Sequence, residues 1–195
     1  MTIDTYTTNF HIRKIIPTDK DFYMSLRQEA SDLKNAYEEF PQFLDSYWEA
    51  LLKGENEICM VAFTLDTPKI CIAICNYQFL EEGHVDIGYD VLEEYRGRGG
   101  GTKLAADLVT LAHQYFPKKK VFIRTRAYNK ASQRVAEKCG GTLIGKEPTP
   151  EVKITMEMLE KYGESGNKSL SLDEIANMKD IIEQGREGVF VFQMP

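Results

Sequence analysis

Tyr95-Arg96-Gly97-Arg98-Gly99-Gly100-Gly101-Thr102 lies between a strand-like run, Val85 to Leu92, and an amphipathic run, Thr102 to Phe116. Four of the five residues from Gly97 to Gly101 lack a Cβ. Glycine accepts left-handed backbone and lets a ligand approach closely. Successive N–H groups can then turn toward one point at a helix start, where the dipole also favours an anion. The segment reads as a cradle the size of a pyrophosphate.

Working outward, the chain alternates strand and helix signals. Phe10 to Ile16 reads as a strand stopped by Pro17. Thr18 or Asp19 caps a helix to about Ala30. Pro41 starts a second helix, with Phe43, Leu44, Tyr47, Trp48, Leu51 and Leu52 on one stripe, and Gly54 ends it. Ile58–Leu65 and Ile70–Phe79 form a hairpin about Asp66-Thr67-Pro68-Lys69. On the second of these strands, Cys71 and Cys75 are expected on one face. His84–Leu92 is the next strand. In the run after the glycines, Leu104, Leu108, Leu111, Ala112 and Tyr115 mark one buried helix face. Val121–Thr125 is a strand, Asn129–Lys138 a short helix, and Thr142–Gly145 and Gly188–Met194 the last two strands. The order implies an α+β fold: a mixed sheet of about seven strands with helices on both faces, in a single domain spanning residues 1–195.

Composition narrows the function. With 195 residues and 43% apolar content, the chain can bury a sizeable core. A net charge of −6 disfavours nucleic acid and anionic membranes as partners. The first residues lack a basic and apolar leader pattern, and the longest apolar run, Ile70 to Cys75, is too short to span a bilayer. A soluble, cytoplasmic protein is expected. Four cysteines and three histidines are scattered without C-x-x-C spacing, so no metal site is expected.

Three phosphate-binding loops compete for the glycine segment. A Walker A loop requires Gly-Lys-Ser/Thr, but Thr102-Lys103 follow Gly101 in reverse order. A G-x-G-x-x-G dinucleotide turn fits Gly97 and Gly99 but meets Thr102 in its third place. Arg96-x-x-Gly99-x-Gly101 fits the third pattern, Arg-x-x-Gly-x-Gly. That pattern resembles motif A of the GCN5-related N-acetyltransferases, the GNAT superfamily. A second segment, Asn129-Lys-Ala-Ser-Gln-Arg-Val-Ala-Glu-Lys-Cys-Gly-Gly141, resembles the block that follows the fifth strand of that family. In detail it is most similar to the branch containing the ribosomal-protein N-terminal acetyltransferases. The resemblance covers roughly residues 12–144 and implies a GNAT-like, mostly antiparallel sheet and acetyl-CoA as the acetyl donor.

The same resemblance implies roles for individual residues. Val91 would hold pantetheine through its backbone N–H and C=O, with the N–H facing the thioester oxygen. Arg96, Gly97, Arg98, Gly99, Gly100, Gly101 and Thr102 would bind the pyrophosphate through their backbone amides, Thr102 adding its hydroxyl, and Asn129 would bind the pantetheine or the amine product. Many relatives carry a tyrosine seven residues after that Asn to protonate the leaving thiolate. Here the position is Ala136, and Ser132, one helical turn from Asn129, is the replacement candidate. For the base, His84, Asp86 and Asp90 share a strand face, and Asp86 stands where relatives often have Glu.

The acceptor is expected to be a primary amine, bound near Arg27, Tyr37, Phe40 and Trp48, although Trp48 fits core packing better, with Glu29, Asp32, Glu38 and Glu39 as an acidic surround. An acyl-CoA-binding regulatory module without catalysis, and a nucleotide-phosphate-binding protein, are the competing readings. Residues 146–187 form a helical insertion with two helices, about 151–162 and 172–184. It is expected to narrow the acceptor cleft or to cover a neighbouring subunit in a homodimer.

Overall fold

The structure, a computed structural model, describes residues 3–30, 41–54, 57–162, 172–184 and 188–195. One eight-stranded sheet runs in the order β1-β2-β3-β4-β5-β6-β8-β7. The strands are β1 Asp4–Tyr6, β2 His11–Lys14, β3 Glu57–Phe63, β4 Cys71–Gln78, β5 His84–Val91, β6 Lys120–Arg126, β7 Thr142–Glu147 and β8 Val189–Gln193. The helices are α1 Lys20–Ala30, α2 Pro41–Lys53, α3 Gly100–Tyr115, α4 Lys130–Lys138, α5 Pro150–Tyr162 and α6 Leu172–Gln184. Neighbouring strands are antiparallel, except β5 and β6, which run parallel. The strand beyond the expected seven is β1, three residues paired to β2, too short to show a period of two.

Both faces of the central strands are covered, so side-chain alternation sorts them into two cores. Met60, Ala62, Cys75, Tyr77, Val85, Ile87, Val91, Val121 and Ile123 pack with Leu104, Leu108, Leu111 and Ala112 of α3. Cys59, Val61 and Ile74 face the other way, onto Tyr23 and Leu26 of α1 and Trp48 and Leu51 of α2. Trp48, for which the sequence favoured core packing over a place in the acceptor site, is buried in this second core.

Cys71 and Cys75 do not share a face as expected. The pairing of β3 with β4 shifts between Ala62 and Phe63. This irregularity leaves Ile72 and Ala73 both on the α3 side, with Cys75, and turns Cys71 to the α1 side. A bulge of this kind reverses the alternation beyond it.

Helices α5 and α6 pack against each other and connect β7 to β8. Strand β8 lies between β6 and β7 and closes the sheet.

The entry to α1 is fixed by Asp19, in a single turn at Pro17–Asp19. Its carboxylate takes both terminal nitrogens of Arg13, at 2.6 and 2.8 Å, and the Ile16 N–H at 2.8 Å. Burial pushes the Asp19 carboxyl up, but the Arg13 and Ile16 hydrogen bonds outweigh it and hold the group below its ordinary value. Folding therefore favours the ionised form. The contribution is complete above the unfolded value, about pH 4, and is lost as pH falls through the lower folded value. Asp19→Asn should cost about 1–3 kcal/mol at neutral pH. Urea unfolding should show the gap between parent and variant closing as pH falls below about 4. A gap that does not change with pH would show that the charge of Asp19 contributes nothing.

Candidate active site

Strands β5 and β6 are paired through His84–Lys120, Val85–Val121 and Asp86–Phe122. Beyond these rungs no pairing joins them, so the strands part toward the end where the glycine segment begins. The other edge of β5 stays on β4 through Val91. Leu92 N–H bonds the Ile72 carbonyl at 2.9 Å. In an antiparallel ladder, hydrogen-bonded residues alternate. Val91 and Tyr89 therefore direct N–H and C=O away from β4, into the opening beside β6. The Val91 carbonyl is taken by Arg96 Nε at 2.6 Å, which leaves the Val91 N–H as the group that points into the opening. Sequence reasoning gave both backbone groups to pantetheine and the Arg96 amide to the phosphates, but that amide donates to the Glu93 carbonyl at 3.0 Å. The structure uses the Arg96 side chain to hold the strand end.

The glycine segment does form a helix start, two residues earlier than expected. Gly99 is the N-cap, and α3 begins at Gly100. Gly97 and Gly99 have φ of 72° and 83°, left-handed backbone that favours glycine. The first helical bond runs from Lys103 N–H to the Gly99 carbonyl, at 3.1 Å. The N–H groups of Gly100, Gly101 and Thr102 precede it and have no carbonyl in the helix. A Cβ added at Gly97 or Gly99 would meet nothing within 4 Å, so the surface over these residues is open. Arg98 and Lys103 flank it. These residues fit a pyrophosphate: donors, dipole and two cations converge on one open surface.

Asn129 is the N-cap of α4, and its Oδ1 accepts the Ser132 N–H at 3.0 Å. Its Nδ2 donates to no group among the described residues. Ser132, half-buried, faces Tyr89 of β5. Burial pushes the Tyr89 phenol up to about 12, against the pull of the Ser132 hydroxyl. The phenol oxygen is buried without a well-formed hydrogen bond among the described residues. Tyr89 is a site residue that sequence reasoning missed, although its alternation with Val85, Ile87 and Val91 already placed it on the α3 side. Ala136 is fully buried.

Asp86 and Asp90 share the opposite face of β5, as alternation required. Asp86 is 3% exposed. It is bonded to Arg124 of β6, which also reaches Glu81 at 3.0 Å and Glu147 at 3.2 Å. One guanidinium thus ties β5, β6, β7 and the turn before β5 together, at the point where the strands begin to part. His84 packs at a tilt against Phe122, with ring centroids 4.5 Å apart. Asp90 lies four residues on, about 13 Å along the strand, and pairs with Arg27 of α1 at 2.8 Å.

A cleft of about 140 Å³ lies on this face. Its charged walls are Arg27 and Asp90. The Tyr23 and Tyr47 hydroxyls, 3.2 Å apart, the Asn76 and Gln78 amides, and Cys59, Ile74, Cys75 and Tyr89 also line it. Gly88 forms part of the floor, because the Asn76 amide occupies the place a Cβ would take. Among the described residues, none from the 146–187 insertion lines the cleft. Tyr37, Phe40, Asp32, Glu38 and Glu39, and the side chain of Glu29, lie outside the described residues. No group of three His, Cys, Asp or Glu able to hold a metal occurs among the described residues, and no described helix is long and apolar enough to cross a membrane.

A family model described as an acetyltransferase (GNAT) domain matches residues 9–142. The chain belongs to the GNAT acetyltransferase family. No curated protein matches it. Among solved structures it is similar to the spermidine N-acetyltransferase of Vibrio cholerae in complex with CoA and spermine. That match has 16% identity and a TM-score of 0.61, and covers 73% of this chain and 86% of the other. A second structure from that organism, spermidine/spermine N-acetyltransferase SpeG in complex with manganese ions, has 13% identity and a TM-score of 0.62. It covers 96% of this chain, with 92% of its own length matched. The ribosomal-protein-S5-alanine acetyltransferase of Vibrio fischeri has 15% identity, a TM-score of 0.55 and coverage of 76% and 87%. At these identities the likeness is one of fold.

A carboxylate at Gly101 would stand in the first turn of α3, where its charge repels a phosphate. The space there takes a Cβ at ordinary contact, 4.0 Å from Tyr89 and Val135. Gly101→Asp should weaken CoA binding about 100-fold or more in calorimetry, with the melting temperature little changed and Gly101→Ala as control. Unchanged affinity in the folded Asp variant would remove the glycine segment from the donor site.

Proposed function

We propose that the chain is an N-acetyltransferase that moves an acetyl group from acetyl-CoA to a primary amine by direct attack in a ternary complex. The observation that carries this reading is the opening between β5 and β6. The Val91 N–H points into it, the chain runs on from Val91 to the first-turn amides of α3, and a polar cleft opens on the α1 side of the sheet and reaches Tyr89. Donor and acceptor can then meet across one strand without a covalent enzyme intermediate.

In this reading, the amides and cations from Arg98 to Lys103 hold the pyrophosphate. Val91 N–H donates to the thioester oxygen as negative charge develops there. The Asn129 Nδ2 steadies the pantetheine arm. The leaving thiolate receives its proton on the α4 side, where the Ser132 and Tyr89 hydroxyls face one another. Asp86 we read as a positioning residue, the anchor of Arg124 at the floor of the opening. As a base it would have to act through water. The four free cysteines, all buried or half-buried, with the Cys59 and Cys71 thiols pushed up to about 12 and the Cys75 thiol well above its ordinary value by burial, suit the cytoplasm as the place of action.

Thiol release from acetyl-CoA over a panel of amines tests the reading directly. Binding without turnover on any amine would favour an acyl-CoA-binding module over an enzyme. Ser132→Ala should lower kcat about tenfold while leaving the KM for acetyl-CoA within about twofold, since the hydroxyl matters only as thiolate charge appears. An unchanged kcat would remove Ser132. Asp86→Asn should cost about 1–3 kcal/mol of stability. A variant with a normal melt but no turnover would return Asp86 to the chemistry.

A further inference from the structure

The acceptor cleft holds one cation and one anion, Arg27 and Asp90, paired with each other at 2.8 Å. The two side chains are 32% and 29% exposed, so the pair is neither sealed into the core nor free in solvent. Arg27 Nε is buried and has no acceptor among the described residues, so the guanidinium carries donor capacity that Asp90 does not use. The remaining polar walls are neutral: the Tyr23–Tyr47 hydroxyl pair, Tyr89, and the Asn76 and Gln78 amides, whose nitrogens donate to the Glu57 carboxylate. At about 140 Å³, the cleft is below the usual range for drug-sized ligands.

We propose that this cleft takes a free α-amino acid as the acetyl acceptor, its carboxylate on Arg27 and its ammonium on Asp90. The proposal rests on the acetyltransferase reading above and names the substrate class for that site. An internal ion pair is the charge pattern that a zwitterion reproduces. Each partner exchanges the other for the matching end of the substrate, and no buried charge is left alone. The planar guanidinium fork suits a carboxylate. A polyamine fits poorly, because Arg27 would repel its second ammonium. A peptide N-terminus presents a neutral carbonyl where the carboxylate would sit, and so gives Arg27 a weaker partner.

The placement also serves the chemistry. Asp90 directly precedes Val91, whose N–H faces the donor opening, so an amine held at Asp90 stands beside the thioester carbon. The ammonium first loses one proton, through Asp90, to solvent. The amine nitrogen then attacks the thioester carbonyl carbon, forming C–N as C–S breaks. The second amine proton reaches the sulfur by way of the hydroxyls and solvent on the α4 side. The products are an N-acetyl amino acid, CoA thiol and one released proton.

The test measures initial rates of thiol release, with product mass, for L-amino acids, their α-amides and spermidine. Acetyl-CoA binding is followed by calorimetry in the same samples. The free amino acid should exceed its amide in kcat/KM by about tenfold or more, and spermidine should be poorer than both. Arg27→Gln should shrink the amino-acid-to-amide ratio toward one, and Arg27→Lys should restore part of it. Should the variants fail to fold, the parent's ratio decides alone. Amides or spermidine used as well as amino acids, with acetyl-CoA bound, overturn this proposal and leave the acetyltransferase reading standing. No binding of acetyl-CoA overturns that reading and this proposal with it.

Discussion

The parting of two parallel strands in the middle of an otherwise continuous sheet governs this structure. Parallel strands normally hold each other along their whole length, because an unpaired backbone edge inside a sheet leaves donors and acceptors without partners. Here β5 and β6 keep three rungs and then diverge. Arg124 fixes where this happens. Its guanidinium joins Asp86, Glu81 and Glu147, so the floor of the opening is cross-braced from three directions. The upper part of β5 is held from its other side by β4, and its end by Arg96 on the Val91 carbonyl. Beyond Asp86 the β6-facing edge of β5 has no strand partner, and the Val91 N–H points into the opening.

The two faces of the sheet then divide the labour. On one, α3 and α4 bring the glycine segment, Asn129, Ser132 and Tyr89 to the mouth of the opening. Cys139 Sγ, 3.5 Å from the Thr102 carbonyl, ties the two helices together. On the other, α1 and α2 enclose the cleft around Arg27 and Asp90. Alternation along a single strand supplies both sets: Tyr89 faces the α3 side, Asp90 the α1 side, and the Val91 backbone stands between them. The same alternation explains why Asp86 and Asp90 differ in use. They share a face, but only Asp90 is at the level of Val91, while Asp86 is spent on the brace.

Much of this was legible in the sequence, for physical reasons. The period-3.6 stripe after Thr102 and the period-2 runs from Ile58 to Leu92 are strong local signals, and the elements formed where those signals lay. The glycine segment was legible because few structures need so many missing Cβ atoms in a row. What could not be read depends on contacts distant in sequence. Nothing near Asp86 announces Arg124, 38 residues away, or near Asp90 announces Arg27, 63 residues away. The Arg96 amide looked free for a phosphate because its bond to the Glu93 carbonyl, like the side-chain bond to Val91, is a matter of chain geometry. Cys71 changed faces through an irregularity in strand pairing that leaves no mark in the composition. Tyr89 was hidden by its position in a good strand, where an aromatic residue needs no special explanation.

The central claim is that the unpaired Val91 amide and the first turn of α3 form one binding surface for the donor. Backbone amide NMR of the uniformly 15N-labelled protein, titrated with CoA, addresses it most directly. The account predicts that the largest shifts fall on Val91, Gly97 and Gly99–Thr102, saturating together with one dissociation constant, while amides in β1, β2 and β3 stay in place. Shifts that leave Val91 and the glycine segment unchanged and gather elsewhere in the sheet would contradict it.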